Sequence, residues 1–417
     1  MKDEPSETRV DGSRLWSRLM ELAQIGATGV PGEVNRQALS LEDAEACALL
    51  IGWATEAGLE PAFDSAGNLF LTLIGNEPDL APLLCGSHLD SQPTGGRFDG
   101  ALGVLAALEA ASTLAGLGRT RRSLIVVAWS NEEGSRFAPG MTGSSVFAGT
   151  RDLHSIREQT DAEGTNLGDA LDSFLARFSA IEKRPLGFPI AAYLELHIEQ
   201  ADQLEAHGRV IGSVTGIQGK KTWEIGINGS EAHAGTEPMA RRKDALQAFA
   251  RIAVALQEAV TSEAPEVMFT IGHLDVKPNA PSVVPAQVRF RMDLRHADET
   301  TLNRLGALVE QLIDVNAPPC ATDIKRLVDA PPNTFDTDLR KGILAAAERL
   351  GHPAMELLSA AGHDARHLAK VTRAGMIFVP CRAGLSHHPD EWIEPEHAAA
   401  GAAVLLEVLE NLLDEEG

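Results

Sequence analysis

Short apolar runs alternate with longer Ala- and Leu-rich stretches along this chain, and that alternation restricts it to a few layered folds. The runs at 82–86, 123–129, 192–198 and 376–379, several rich in β-branched residues, predict buried strands. Stretches 101–117 and 398–413 predict helices. Strands interleaved with helices give an α/β domain: a mixed, largely parallel sheet flanked by helices. The region 214–330 reads differently, with strand-like 221–229, a helix near 244–260, strand-like 267–274 and 286–293, and a helix near 299–315. It predicts a compact α+β insert. The larger domain is therefore expected to be split, with 1–213 and 331–417 folding together around 214–330.

A chain of 417 residues has room for two such domains. Its formal charge, 36 − 59 = −23, repels phosphate backbones and anionic membranes. Arg119, Arg121 and Arg122 form an isolated basic cluster without interleaved aromatics, so no nucleic-acid partner is expected. The polar, acidic first residues and the lack of a long apolar run predict no signal peptide, no membrane span and a cytoplasmic protein. Cys47, Cys85, Cys320 and Cys381 lie far apart with no CxxC pair. Neither a disulfide framework nor a thiolate zinc site is expected, and a reducing compartment fits.

In an open α/β sheet, ligands bind beyond the carboxyl ends of the strands. There this sequence places histidines and carboxylates. His88 and Asp90 follow the first run, with Asp99 beyond them at the start of a helix. Glu132 and Glu133 follow the second, His197 and Gln200 end the third, and His387 and His388 come shortly after the fourth. A single such histidine is usually a surface or hydrogen-bonded residue, and Asp99 alone reads as a helix cap. Five candidates at successive strand ends read as a set. One histidine from each of three clusters, with Asp99 and one of the paired acids, suits two borderline cations sharing a carboxylate. Asp90 could hold His88 from behind, and the other glutamate could move protons.

Seven segments carry a resemblance: GSHLDSQPTGGRFDGALGVLAALEA, WSNEEGSRF, LELHIEQ, GIQG, GSEAHAGTEPMARRKDA, AGHDA and GLSHHPDEW. In order and spacing they resemble the di-metal amidohydrolases that include N-carbamoyl-L-amino-acid hydrolase, β-ureidopropionase and allantoate amidohydrolase. These lie within the wider aminoacylase and carboxypeptidase-G-like metallopeptidases. The resemblance implies that His88, Asp99 and His197 hold one divalent ion and that Asp99, Glu133 and His387 hold a second. His387 is preferred to His388 because the family pattern is Ser-His-x-Pro. Zinc is the first expectation, with manganese, cobalt or nickel as alternatives. Glu132 is implied as general base, and Asp90 as the residue that orients His88.

The resemblance also implies a ferredoxin-like insert that serves as lid and homodimer contact, with His233 reaching a neighbouring subunit's site as oxyanion donor. His363 matches a substrate-contacting position; Gln200 and Gln218 are weaker candidates. Arg295 would bind a substrate carboxylate through its guanidinium fork, an ion pair with Asp293 being the alternative. Ser282 departs from the family, which commonly has Asn there, and Asn279 could compensate unless it is simply a turn residue. The expected reaction is loss of the carbamoyl group from an N-carbamoyl amino acid, a small ureido anion, releasing carbon dioxide and ammonia. Allantoate or an N-acyl amino acid is the alternative substrate. A non-catalytic binding protein is the rival from another class, and the complete ligand set argues against it.

Overall fold

The computed structural model describes residues 9–118, 120–263 and 266–415. Arg119 and the first eight residues, on which two of the expectations above partly rest, lie outside the described residues. The chain divides into two compact units: one runs to Thr215 and resumes at Thr334, and the other spans Gly216–Asn333.

Strands Leu83–His88, Leu124–Trp129 and Ala192–Ile198 are buried at every residue, hence their unbroken apolar character. Leu83–His88 lies parallel between the other two, and Arg373–Val379 extends the parallel set beyond Ala192–Ile198. Antiparallel strands flank this centre: Leu69–Leu73 and Glu60–Phe63 on one side, Ile211–Ile217 on the other. The sheet is thus mixed with a parallel core, as the sequence predicts. Register sets His88 opposite Trp129 and His197 opposite Phe378. Parallel neighbours end at one edge, so the loops after all four strands emerge together.

Helix Ala101–Leu117 is apolar on nearly every side, and its residues from Ala101 to Ala111 are all buried. It packs on the sheet and against helices Gly12–Leu22 and Pro395–Asp414. Glu109, within it, is fully buried; Arg14 meets this charge with two hydrogen bonds, at 2.8 and 2.7 Å.

The second unit orders its strands Ala321–Ala330, Gly219–Asn228, Gln287–His296, Met268–Lys277, all antiparallel. With helices Ala245–Glu263 and Glu299–Asn316 this is the βαββαβ ferredoxin-like arrangement. Strand Gly219–Asn228 alternates buried and half-buried residues, so one face meets the helices through Trp223, Ile225 and Ile227. The edge strand Ala321–Ala330 has no apolar run in its sequence. Its residues are mostly exposed, so nothing in the chain alternates strongly enough to mark it.

Candidate metal centre

Asp99 stands at the middle of the polar edge. Its Oδ1 lies 3.1 Å from His197 Nε2 and 3.5 Å from His88 Nε2. Its Oδ2 lies 3.1 Å from His387 Nε2, which in turn is 3.4 Å from Glu133 Oε2. Two compact three-donor groups result, His88–Asp99–His197 and Asp99–Glu133–His387, each with donor atoms within 4.8 Å of one another. Asp99 belongs to both. It does not cap the following helix: Gly100 takes that place without a side-chain cap. A Cβ on Gly100 would fall 2.4 Å from the His88 ring, so glycine is required for the imidazole to lie there.

Local bonding sets the histidine tautomers. His88 Nδ1 faces the carbonyl of Asp90 at 2.9 Å, and His197 Nδ1 faces that of Ile198 at 2.9 Å. A carbonyl only accepts, so each Nδ1 carries the hydrogen and a neutral ring turns an Nε2 lone pair inward; that of His197 accepts the main-chain N–H of Gly100 at 3.2 Å. The carboxylate of Asp90 has a second task besides facing His88. Its oxygens accept the main-chain N–H of Glu132 and Glu133, both at 3.1 Å, and Oδ1 lies 3.6 Å from His88 Nδ1. It fastens the glutamate loop, while its own carbonyl fixes His88. Asn131 precedes that loop with φ +53, a left-handed turn held by its amide on Phe137 O and Thr142 Oγ. Glu133 turns toward His387; Glu132 Oε2 approaches His88 Nε2 at 3.7 Å.

The charges are unbalanced by themselves. Burial opposes ionisation of Asp99, yet hydrogen bonds from His197, His387 and His88 hold it well below the usual carboxylate range. Burial pushes Glu132 well up, with Asp364 and Glu133 adding to the effect and His88 opposing it. It also carries Glu133 to about 7. His387 rises to about 9 through its bond to Asp99, and His88 is pushed well up by Glu132 and Asp99 against the effect of burial. Histidines that retain protons beside carboxylates that resist losing them are what a polar cluster shows when it has donor atoms to spare. Nitrogen and oxygen donors in threes, with Nε2 lone pairs directed inward, fit two borderline divalent cations.

Gln200, expected on substrate, donates from Nε2 to Asp99 Oδ2 at 2.8 Å. His363 is buried edge-on against His197 at 4.5 Å, with Nε2 3.1 Å from Ser359 Oγ; burial and the neighbouring His197 keep it neutral. The remaining candidates belong to the second unit. Arg295 Nε donates to Asp293 at 2.8 Å, the ion pair anticipated as its alternative. His233 is exposed, its Nδ1 accepting from Gly235 N at 3.0 Å. Ser282 and Asn279 are exposed in the loop before Gln287–His296, and Asn279 has φ +56, the turn conformation. Gln218 is buried ahead of Gly219–Asn228.

A third group, Glu195–His197–His363, also has three potential donors. Its glutamate is already satisfied by Ser87 at 2.8 Å, Tyr193 at 3.2 Å and Ala365 N at 3.0 Å, so it serves the packing behind His197. Reading the sequence missed Gln92, which donates to Glu133 Oε2 at 2.7 Å, and Glu391, which accepts the main-chain N–H of Asp99. Both sit within the quoted motifs, but a polar residue in a loop carries no periodic signal.

Histidine–carboxylate groups paired at the carboxyl edge of an α/β sheet are an arrangement suited to metal-dependent hydrolysis. Residues 84–411 match the family described as Peptidase family M20/M25/M40, and the chain belongs to it, a hydrolase of C–N bonds. It is 42% identical over 408 residues to an N-carbamoyl-L-amino-acid amidohydrolase of Rhizobium meliloti, covering 96% of each chain. It is 34% identical to a probable allantoate deiminase of Oryza sativa subsp. japonica, covering 95% of this chain and 88% of that one. A crystal structure of an amidase of the hydantoinase/carbamoylase family from Burkholderia multivorans superposes with TM-score 0.89 at 41% identity, covering 99% of this chain and all of that one. Among the described residues no helix is long and apolar enough to cross a membrane.

Proposed function

We propose that the chain removes the carbamoyl group of an N-carbamoyl amino acid, giving the amino acid, carbon dioxide and ammonia. The observation that carries this reading is the meeting of two donor groups at Asp99 with Glu132 beside them. His88, Asp99 and His197 would hold one cation, and Asp99, Glu133 and His387 the other. When bound, such a pair supplies Lewis acidity, which a ureido carbonyl, a poor electrophile, requires. Zinc is the first choice of metal, with manganese, cobalt or nickel accepted by the same donors.

Glu132 takes the proton of the attacking water and passes it to the departing nitrogen. Its burial, which raises its affinity for protons, brings it toward the range where a general base works at neutral pH. Asp90 holds that glutamate by its main-chain N–H. For the second unit we carry over the roles the resemblance implies, Arg295 as the fork for a substrate carboxylate and His233 as oxyanion donor across a homodimer, and keep as substrate contacts Gln218, Ser282, which stands where the family commonly has Asn, and Asn279, which could compensate for it. His363 and Gln200 complete the set. The same unit would be the lid and dimer contact, and a cytoplasmic location follows from the cysteine pattern. Exposed Met268, Leu274 and Leu327 on its edge strands support a contact with a second copy, which sedimentation as a monomer at micromolar concentration would contradict.

Allantoate is the second reading. The likeness to the rice protein and the serine at 282 favour it. Metal-loaded protein incubated with N-carbamoyl α- and β-amino acids, allantoate and N-acyl amino acids separates the cases: ammonia appears with ureido substrates, a carboxylic acid with acyl ones. Release from N-carbamoyl amino acids is expected, and silence on all of them defeats the proposal. Glu132→Gln should lower turnover by about 10²–10⁴-fold while both metals stay bound.

A further inference from the structure

The carboxylate common to both donor groups is held by residues outside either group. Glu391 follows His387 on the same loop, is 2% exposed, and stands 292 positions from Asp99 in sequence. Its Oε1 accepts the main-chain N–H of Phe98 at 2.8 Å and of Asp99 at 3.1 Å. Its Oε2 lies 3.1 Å from the Ser386 hydroxyl, which is also 3.0 Å from Asp99 Oδ2. Gln200 Nε2 donates to that same Oδ2 and, at 3.1 Å, to Ser386 Oγ. A buried carboxylate is costly unless its lone pairs are met. Here the partners that meet them lie on the two segments that deliver Asp99 and His387.

Packing points the same way. A Cβ at Gly96 would fall 2.2 Å from Glu391 Cδ and 2.3 Å from Oε1, so position 96 is restricted to glycine while Glu391 occupies this place. Ser386 has one proton and two carboxylates within reach, so it donates either to Asp99 Oδ2 or to Glu391 Oε2 and couples the two, while the main-chain amides of Phe98 and Asp99 hold Glu391 Oε1 in either case. Through these bonds the loop bearing His387 is fastened to the backbone of Asp99.

We infer that Glu391 is the positioning residue of the shared carboxylate, fixing Asp99 through its main chain and through Ser386 so that each oxygen of Asp99 faces its own donor group. The inference rests on the two-cation reading of Asp99. Its consequence is that both ions depend on a residue that touches neither. Outer partners of metal ligands typically change affinity by about 10–100-fold.

The test compares metal affinity of full-length variants by competition with a chromogenic chelator, using manganese and zinc, with circular dichroism to confirm folding. Glu391→Ala should weaken both ions by about 10–100-fold. Glu391→Gln keeps one acceptor oxygen for both amides and supplies an N–H to Ser386, so it should stay within about threefold of the parent, a rescue that simple loss of packing does not produce. Gly96→Ala, which displaces Glu391 without removing it, should weaken binding by about tenfold and stands in if Glu391→Ala does not fold. Parental affinity for both ions in a folded Glu391→Ala or Gly96→Ala chain overturns the inference alone. If the unaltered chain binds no metal, the two-cation reading fails and takes this inference with it.

Discussion

The two donor groups that share Asp99 are built from different materials. His88–Asp99–His197 comes from strand ends and a helix start, is buried throughout, and has its two imidazoles locked by backbone carbonyls. Asp99–Glu133–His387 comes mainly from loops, and its histidine is 46% exposed, with φ +54 and no carbonyl partner among the described bonds. One group is preorganised by the sheet. The other depends on long-range fastenings: Asp90 and Gln92 on Glu133, and Glu391 with Ser386 around Asp99 and His387. The same cation should therefore be held more firmly and exchange more slowly at the first group than at the second.

The largest effect should come from removing what the groups share. Asp99→Ala should release both ions, a loss beyond the ~100-fold typical of outer-shell changes, visible as metal content after dialysis; retention of one ion would separate the groups. Next come the two histidines. His197→Ala should cost about 1–3 kcal/mol of metal-free stability, because the ring is buried and hydrogen-bonded. His387→Ala should lose the second ion yet, above pH 9 where the ring is neutral in the folded and unfolded chain alike, alter metal-free stability by no more than about 0.5 kcal/mol. Denaturant titration of the two stripped variants checks the contrast, and equal losses would erase it.

A pH series sharpens the second group further. In the metal-free chain Glu133 is raised from 4.5 to about 7 and His387 from 6.5 to about 9, so the folded state binds more protons than the unfolded one at both residues. Their contributions to stability therefore fall as pH rises, from about 4.5 to 7 for Glu133 and from about 6.5 to 9 for His387. Affinity for the second ion should rise over the same interval as protons leave the donors. His387→Ala should flatten the upper part of the stability curve, and an unchanged slope would contradict the assignment. The smallest effect is expected of Gln92→Ala, which removes one hydrogen bond to Glu133 and should weaken the second ion by about tenfold at most.

Much of the first group was legible in the sequence. Strands buried on both faces leave continuous apolar runs, and the polar residues that end them stand out, as His88 and His197 do. The second group was legible only through motifs, because nothing local marks which of Glu132 and Glu133, or of His387 and His388, turns inward. That choice rests on the left-handed Asn131 and on a loop closed by Glu391, neither of which leaves a periodic trace. The bond from Gln200 to Asp99 was hidden for a related reason: a left-handed backbone, φ +58, directs the amide there. In the second unit, strand Ala321–Ala330 was invisible because an edge strand need not hide either face.

One carboxylate, Asp99, is proposed to serve two cations. Anomalous diffraction from crystals of the manganese-loaded protein tests it most directly. Two peaks are expected, one beside each oxygen of Asp99, flanked by His88 and His197 on one side and by Glu133 and His387 on the other. A single peak, or two peaks that do not share Asp99, would contradict it.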